Sequence, residues 1–303
     1  MRAWRVGCDA VTHEAIKLAT SLPQAYSACA WPWVEVVRVR RLGWSRYTLG
    51  IANLPAAMEG LRVVHVSDVH IDRRWMPAWT QLHKQLAEDP PDLIFVTGDW
   101  VEHKFDARPA LPMVRRFVDG LRARIGVYGI LGNHDTELLP VRIDLSPVRV
   151  LCNEIVTLTH GDATLQIVGV HGIHSADDAS ALREKTDASS GALRLMLAHY
   201  PSQVALGIDA GAAVVFAGHT HGGQVCLPGG VPMITHDGLP KRFSRGVHRF
   251  NNTYLAVSRG LGFSSYSIRT FCPAEVIEVV LKSEMTNDKM PMTNDKMQMT
   301  NTK

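Results

Sequence analysis

The 303-residue chain is 46% apolar and 20% charged, with 32 basic against 29 acidic residues. That length can build one large domain or two small ones around a sizeable core, and the balanced charge excludes a nucleic-acid duplex or any strongly charged polymer as the expected partner. Five scattered cysteines, Cys8, Cys29, Cys152, Cys226 and Cys272, form no CxxC pair and read as small buried apolar residues in a reducing compartment.

Residues 1–33 mix Arg2, Arg5, Asp9, Glu14 and Lys17 with apolar residues. They contain neither the apolar length of a membrane span nor the hydrophobic block of a signal peptide. A helix packed on its own domain is expected there, with an amphipathic helix lying on a membrane through Trp4, Trp31 and Trp33 as the alternative. "VEVVRVR" at 34–40 predicts a half-exposed strand that opens the folded unit, residues 34–282. Then one event recurs five times. "LRVVHVS" runs into Asp68-Val69-His70, "DLIFVTG" into Asp99, "GVYGILG" into Asn133-His134, "LRLMLA" into His199, and "AAVVFAG" into His219-Thr220-His221. Short runs with few polar interruptions predict strands buried on both faces. Helical stripes fall between them: Trp79, Leu82 and Leu86, then Leu111, Val114, Val118 and Leu121. "EVIEVVL" at 275–281 predicts a last strand. From Met285 to Lys303 a seven-residue repeat, "MTNDKMP" then "MTNDKMQ", carries weak helix formers and Pro291 and is expected to be disordered.

Alternating strand and helix is the α/β pattern, in which ligands bind at the carboxyl ends of the strands. All five polar clusters fall at that end. Each alone is an ordinary turn; together they offer oxygen and imidazole donors without a thiolate. Seven donors, Asp68, His70, Asp99, Asn133, His199, His219 and His221, overfill a tetrahedral zinc site but suit two ions. A pair about 3.5–4 Å apart clamps the entering and leaving oxygens of a phosphoryl displacement. The donor set favours manganese, iron or zinc, manganese foremost, over magnesium or calcium. In extended backbone, residues i and i+2 share a side, so His219 with His221, and Asp68 with His70, are expected to face the ions together. Gly98, Gly132, Gly218, Gly222 and Gly223 are expected to provide positive φ and close approach.

These blocks, "DVH", "GD", "GNHD", "AHY" and "GHTH", resemble the calcineurin-like metallophosphoesterases across residues 61–281. The resemblance implies a four-layer α/β/β/α sandwich of two mixed sheets. It also implies that Asp99 bridges two divalent ions, with Asp68, His70 and His221 on one and Asn133, His199 and His219 on the other. His134 is implied as the catalytic residue that protonates the leaving oxygen or stabilises charge. Its orienting acid is Glu102, which stands where the family often has Asp in G-D-x-x-D, or Asp135.

The segments after GHTH resemble a bacterial membrane-associated phosphodiesterase branch that includes UDP-2,3-diacylglucosamine pyrophosphatases of lipid A synthesis. The resemblance implies a phosphodiester or pyrophosphate substrate, on a nucleotide-linked lipid, for a cytoplasmic enzyme with peripheral contact at the inner membrane. The alternative is a soluble phosphodiesterase for cyclic nucleotides or other small diesters; a non-catalytic scaffold and a nuclease rank below both. Arg73, Arg74, Lys241, Arg242, Arg245 and Arg249 are candidates to grip phosphate or to form a solvated face. Trp75, Trp79 and Trp100 are candidates for an acyl or uracil lining or for the core. His171 and His174 read as polar strand ends.

Overall fold

The computed structural model describes residues 16, 19–22, 34–103, 105–135, 145–171 and 191–284. The repeat tail, His174 and most of residues 1–33 lie outside them.

The strands, in chain order, are β1 (Thr20–Ser21), β2 (Val34–Val36), β3 (Gly43–Ile51), β4 (Arg62–Val66), β5 (Leu93–Thr97), β6 (Gly126–Ile130), β7 (Val148–Val150), β8 (Glu154–His160), β9 (Ala163–Gly169), β10 (Leu193–Leu197), β11 (Val214–Ala217), β12 (Cys226–Leu227), β13 (Val231–Pro232), β14 (Gly246–Phe250), β15 (Thr253–Val257), β16 (Ile268–Thr270) and β17 (Glu275–Ser283). Among the described residues the α-helices are α1 (Pro77–Glu88), α2 (Leu111–Asp119) and α3 (Val204–Asp209).

One sheet runs β3-β17-β4-β5-β6-β7 and the other β1-β14-β15-β11-β10-β9-β8. Both are mixed. β4 to β7 are parallel while β17 meets β4 antiparallel; β9, β10, β11 and β15 are parallel while β8 and β14 run against their neighbours. The short β1, drawn from the segment before residue 34, pairs antiparallel with β14.

Period-2 alternation sorts the strand residues between layers. In β5, Leu93 and Phe95 point between the sheets, while Ile94 and Val96 point outward beneath the helices. Phe95 meets Phe216 of β11 edge to face across the sandwich, ring centres 5.1 Å apart. The outward face is covered by the predicted helical stripes: Trp79, Leu82 and Leu86 of α1, and Val114 and Val118 of α2, all buried. Pro77 and Pro112 sit in the first turns of α1 and α2, where a missing N–H loses no helical bond. On the far side α3 lays Val204 and Ala205 against Met196 and Val215. The result is the expected four-layer sandwich of two mixed sheets.

Candidate active site

Three loops leave the six-stranded sheet, after β4, β5 and β6, and two leave the seven-stranded sheet, after β10 and β11. They meet at one rim, cross-linked by their own backbones. Asp68 N–H donates to the Gly98 carbonyl and His70 N–H to the Asp99 carbonyl, each at 3.0 Å. From the other sheet, His219 N–H donates to the Asp68 carboxylate at 3.0 Å.

The expectation that extended backbone aligns i and i+2 is corrected here. β4 has ended at Val66 and β11 at Ala217 before these residues begin. Asp68, His70, Asp99, His219 and His221 all take left-handed backbone, φ +48°, +46°, +52°, +66° and +50°. Each costs on the order of 1–3 kcal/mol for a side-chain-bearing residue, and it persists because the surrounding bonds over-determine the loop. Strain, rather than strand pleat, aims these side chains. The glycine expectation is corrected in part: Gly98, Gly222 and Gly223 have positive φ, but Gly132 and Gly218 do not. These two serve close approach. A Cβ on Gly132 would lie 2.2 Å from Asp99 Oδ1, and one on Gly218 would lie 1.9 Å from Ser67 Oγ and 2.3 Å from Asp68 Oδ2.

Donor atoms of Asp68, His70 and His221 gather in one group and those of Asp99, His199 and His219 in another, while His70, Asp99 and His134 form a third that overlaps both. Asp99 Oδ2 lies between the first two, 3.5 Å from His70 Nε2 and 3.5 Å from His199 Nε2. Asn133 Oδ1 joins the second group, 3.0 Å from His199 Nε2 and 2.9 Å from His219 Nδ1. In the first, His70 Nε2 and His221 Nε2 face each other at 3.0 Å, with Asp68 Oδ1 3.5 Å from the latter. Buried ring nitrogens converging on carboxylates, with no thiolate among them, form a donor set that a pair of divalent cations fits. The seven predicted donors are therefore brought together.

The electrostatics of the cluster follow from burial and crowding. Burial works against a charged His199, yet the Asp99 and Asp68 carboxylates outweigh it and push the imidazole up to about 9. Burial would raise Asp99, but His199 and His70 hold its carboxyl below the usual range. His219 is pushed down to about 3 by burial and by the His199 charge, and burial also lowers His221. That leaves His219 and His221 in the neutral form that ligates, whereas His199 must give up its proton to do so.

His134 sits beside this cluster, its ring centre 4.7 Å from that of His70, and its backbone N–H donates to Asp99 Oδ1 at 2.8 Å. Neither expected acid orients it. Its Nδ1 meets the backbone carbonyl of Glu102 at 2.7 Å, while the Glu102 carboxylate turns to His70 Nδ1 at 2.7 Å. Asp135 braces the turn instead: its carboxylate accepts from Gly132 N–H at 2.8 Å, Trp100 N–H at 2.9 Å and Val101 N–H at 3.3 Å.

Sequence reading missed the residues that orient the donors. His199 donates from Nδ1 to the Thr97 carbonyl at 2.8 Å and His219 from Nε2 to the His236 carbonyl at 3.1 Å. Backbone acceptors leave no trace in residue type. Beneath the rim, His65 Nε2 donates to Thr97 Oγ1 at 2.8 Å, Thr97 donates to Ser67 Oγ at 2.7 Å, and Ser67 bonds the Asp68 carboxylate. The one available signal was polar His65 inside the apolar run "LRVVHVS". His171 caps a strand end, its N–H on Asn153 Oδ1 at 2.9 Å.

Trp79 and Trp100 are fully buried, with Trp100 Nε1 donating to the Ile130 carbonyl. They belong to the core. Trp75 lies under the Arg116 guanidinium, 4.0 Å from its ring centre. Lys241 is turned onto the Met233 carbonyl, Arg242 onto that of Ile16, and Arg249 pairs with Glu284 at 2.8 Å. Those three serve the protein's own surface.

A sandwich of two mixed sheets whose strand ends converge on shared carboxylate and imidazole donors defines the metallophosphoesterase class. The chain belongs to the calcineurin-like phosphoesterase family, whose sequence model matches residues 61–223. Among characterised and uncharacterised relatives, it is similar to the uncharacterised metallophosphoesterase YkuE of Bacillus subtilis, 26% identical over 251 residues, covering 79% of this chain and 85% of that one. Phosphodiesterase YaeI of Escherichia coli is 25% identical over 276 residues, covering 86% and 94%. UDP-2,3-diacylglucosamine pyrophosphatase LpxG of Chlamydia trachomatis is 25% identical over 300 residues, covering 77% and 87%. Family membership implies phosphoester hydrolase activity and divalent-metal binding. Among the described residues, no helix is long and apolar enough to cross a membrane.

Proposed function

We propose that the chain hydrolyses a phosphodiester or pyrophosphate bond with two divalent ions. Asp68, His70 and His221 hold one, Asn133, His199 and His219 hold the other, and Asp99 is shared. The observation that carries this reading is the place of Asp99 Oδ2, equally distant from an imidazole of each group. When bound, the ions, manganese before iron or zinc on this donor set, supply Lewis-acid stabilisation of charge on the phosphoryl oxygens. The protein's own part is to hold the donors rigidly and to move one proton. With Nδ1–H donated to the Glu102 carbonyl, the imidazolium form of His134 carries its second proton on Nε2, the one it delivers to the leaving oxygen.

Similarity to the UDP-2,3-diacylglucosamine pyrophosphatase LpxG supports a nucleotide-linked lipid substrate of that type, and similarity to phosphodiesterase YaeI supports a phosphodiester. A second reading, a phosphodiesterase for cyclic nucleotides or other small diesters, is favoured by the burial of Trp79 and Trp100, which removes two of the three candidates for an acyl or uracil lining. Manganese-loaded protein assayed on UDP-diacylglucosamine, cyclic AMP and a chromogenic diester separates the two. Turnover of none of them would leave the assignment at the level of the family, and fewer than two metal equivalents after loading would favour the non-catalytic scaffold instead.

A further inference from the structure

Two cysteines stand behind the metal cluster, and the proposed reaction uses neither. Cys226 opens β12 and Cys272 follows β16, on segments that are tied side by side. Val225 bridges Thr270, Cys226 N–H donates to Thr270 Oγ1 at 3.1 Å, and that hydroxyl donates to the Cys226 carbonyl at 2.9 Å. Both thiols then turn toward one carbonyl, that of Gly222, with Cys226 Sγ 3.3 Å and Cys272 Sγ 3.5 Å from it, and they hydrogen-bond to each other. Cys272 Sγ is closer still to the carbonyl of His221, at 3.1 Å. Both cysteines are free thiols.

A cysteine that only fills space packs among apolar side chains. These two face backbone carbonyls and stand within the fields of three guanidinium groups, those of Arg245, Arg259 and Arg269. Positive charge beside sulfur favours the negative charge it carries when it attacks an electrophile, which separates a reactive thiol from an inert buried one. The pair is covered, Cys226 being 3% exposed and Cys272 fully buried, yet the cover over Cys226 is thin. β12 and β13 pair over two residues only, and Leu227 and Val231 on that hairpin are exposed. So short a pairing opens locally at little cost and admits an oxidant the size of water.

We propose that Cys226 and Cys272 are a redox-sensitive dithiol that closes to a disulfide under hydrogen peroxide and thereby loosens His221 in the metal cluster. One sulfur attacks a peroxide oxygen, the O–O bond breaks, one water leaves and a sulfenic acid remains. The second sulfur attacks the first, the S–O bond breaks, the S–S bond forms and a second water leaves, so two thiols are oxidised and one peroxide is reduced. His221 and Gly222 take left-handed backbone, φ +50° and +61°, and a Cβ on Gly222 would lie 3.0 Å from Cys272 Sγ. Closure removes the S–H donors from the carbonyls of this strained turn and draws the sulfurs to ~2 Å, pulling on the segment that carries His221. The disulfide stands on the two sulfurs alone; its effect on metal rests on the reading of His221 as a ligand.

The test uses the full zinc-loaded chain, because zinc has no redox chemistry of its own. After peroxide treatment the protein is digested without reductant and mapped by mass spectrometry, while zinc release to a chelator is followed in parallel. The expected product is a pair of peptides joined through Cys226 and Cys272, two hydrogens lighter than their sum. Zinc should be held about 10–100-fold more weakly at one position, with recovery in dithiothreitol. Cys226→Ser and Cys272→Ala should each lose this response to peroxide. Wild-type peptides still reduced at both positions while the exposed Cys152 is oxidised overturn the proposal, whether or not the variants fold. So does a bond from either cysteine to a different one. A linked pair with unchanged zinc release, or release that persists in both variants, overturns the coupling to His221. A chromogenic diester left unhydrolysed before oxidation, with the cross-link still forming, would sink the hydrolase reading and leave the dithiol standing.

Discussion

At the scale of single residues, His134 is where chemistry and scaffold can be separated. Its ring is held by a carbonyl and its backbone by Asp99, and one of its ring nitrogens lies within 4.8 Å of donor atoms of His70 and Asp99. His134→Ala is expected to retain two metal equivalents and lose turnover by about 10²–10⁴-fold. A near-normal rate with full metal content would remove it from the mechanism. His65 makes a different prediction, about stability. Burial pushes it down to about 3 from an ordinary 6.5, so the folded protein keeps it neutral while the unfolded chain protonates it in acid. Its contribution is therefore complete above about pH 6.5 and is lost as pH falls toward about 3, at up to ~1.4 kcal/mol per pH unit. Urea unfolding of His65→Gln across that window should show a shallower acid loss than wild type; parallel curves would refute a neutral buried His65.

At the scale of elements, the five strand-end loops depend on one another more than on their strands. Asp135 shows this, since one carboxylate collects N–H groups from the loops after β5 and β6. Burial and the nearby Asp99 push it up to about 7, so the site tolerates this charge only because the turn needs its acceptors. Asp135→Asn turns an amide donor toward backbone donors. It is expected to destabilise by about 1–3 kcal/mol in denaturant unfolding and to weaken metal retention measured by chelator competition. Unchanged stability together with unchanged retention would mean that the turn stands without this brace. The motifs GD and GNHD were legible as motifs, yet Asp135 read as an orienter of His134, because a carboxylate's partner cannot be seen when the partner is backbone.

At the scale of the molecule, the site exists because two sheets are held face to face. Phe216 packs on Phe95 and His65 between them, ring centres 5.1 Å and 5.3 Å away, and it is fully buried. Phe216→Ala is expected to lose about 3–5 kcal/mol, a large share of the roughly 5–15 kcal/mol that a domain possesses. Metal affinity should fall with it, since donors from β10 and β11 ride on one sheet and those from β4, β5 and β6 on the other. A loss below about 1 kcal/mol with unchanged metal binding would show that the sheets do not rely on this contact.

The sequence by itself determined the strand runs, the helical stripes of Trp79, Leu82 and Leu86, the strand-end position of every donor and the family to which they point. Hydrophobic period and residue type are local, and they survive without a fold. Tertiary structure alone decided that left-handed backbone aims the donors, that Gly132 and Gly218 admit neighbouring carboxylate and hydroxyl oxygens, that Glu102 serves His70 with its side chain and His134 with its carbonyl, and that Trp79 and Trp100 are core. Each of these depends on which backbone group or layer lies opposite in space, a relation between distant segments that composition and spacing do not encode.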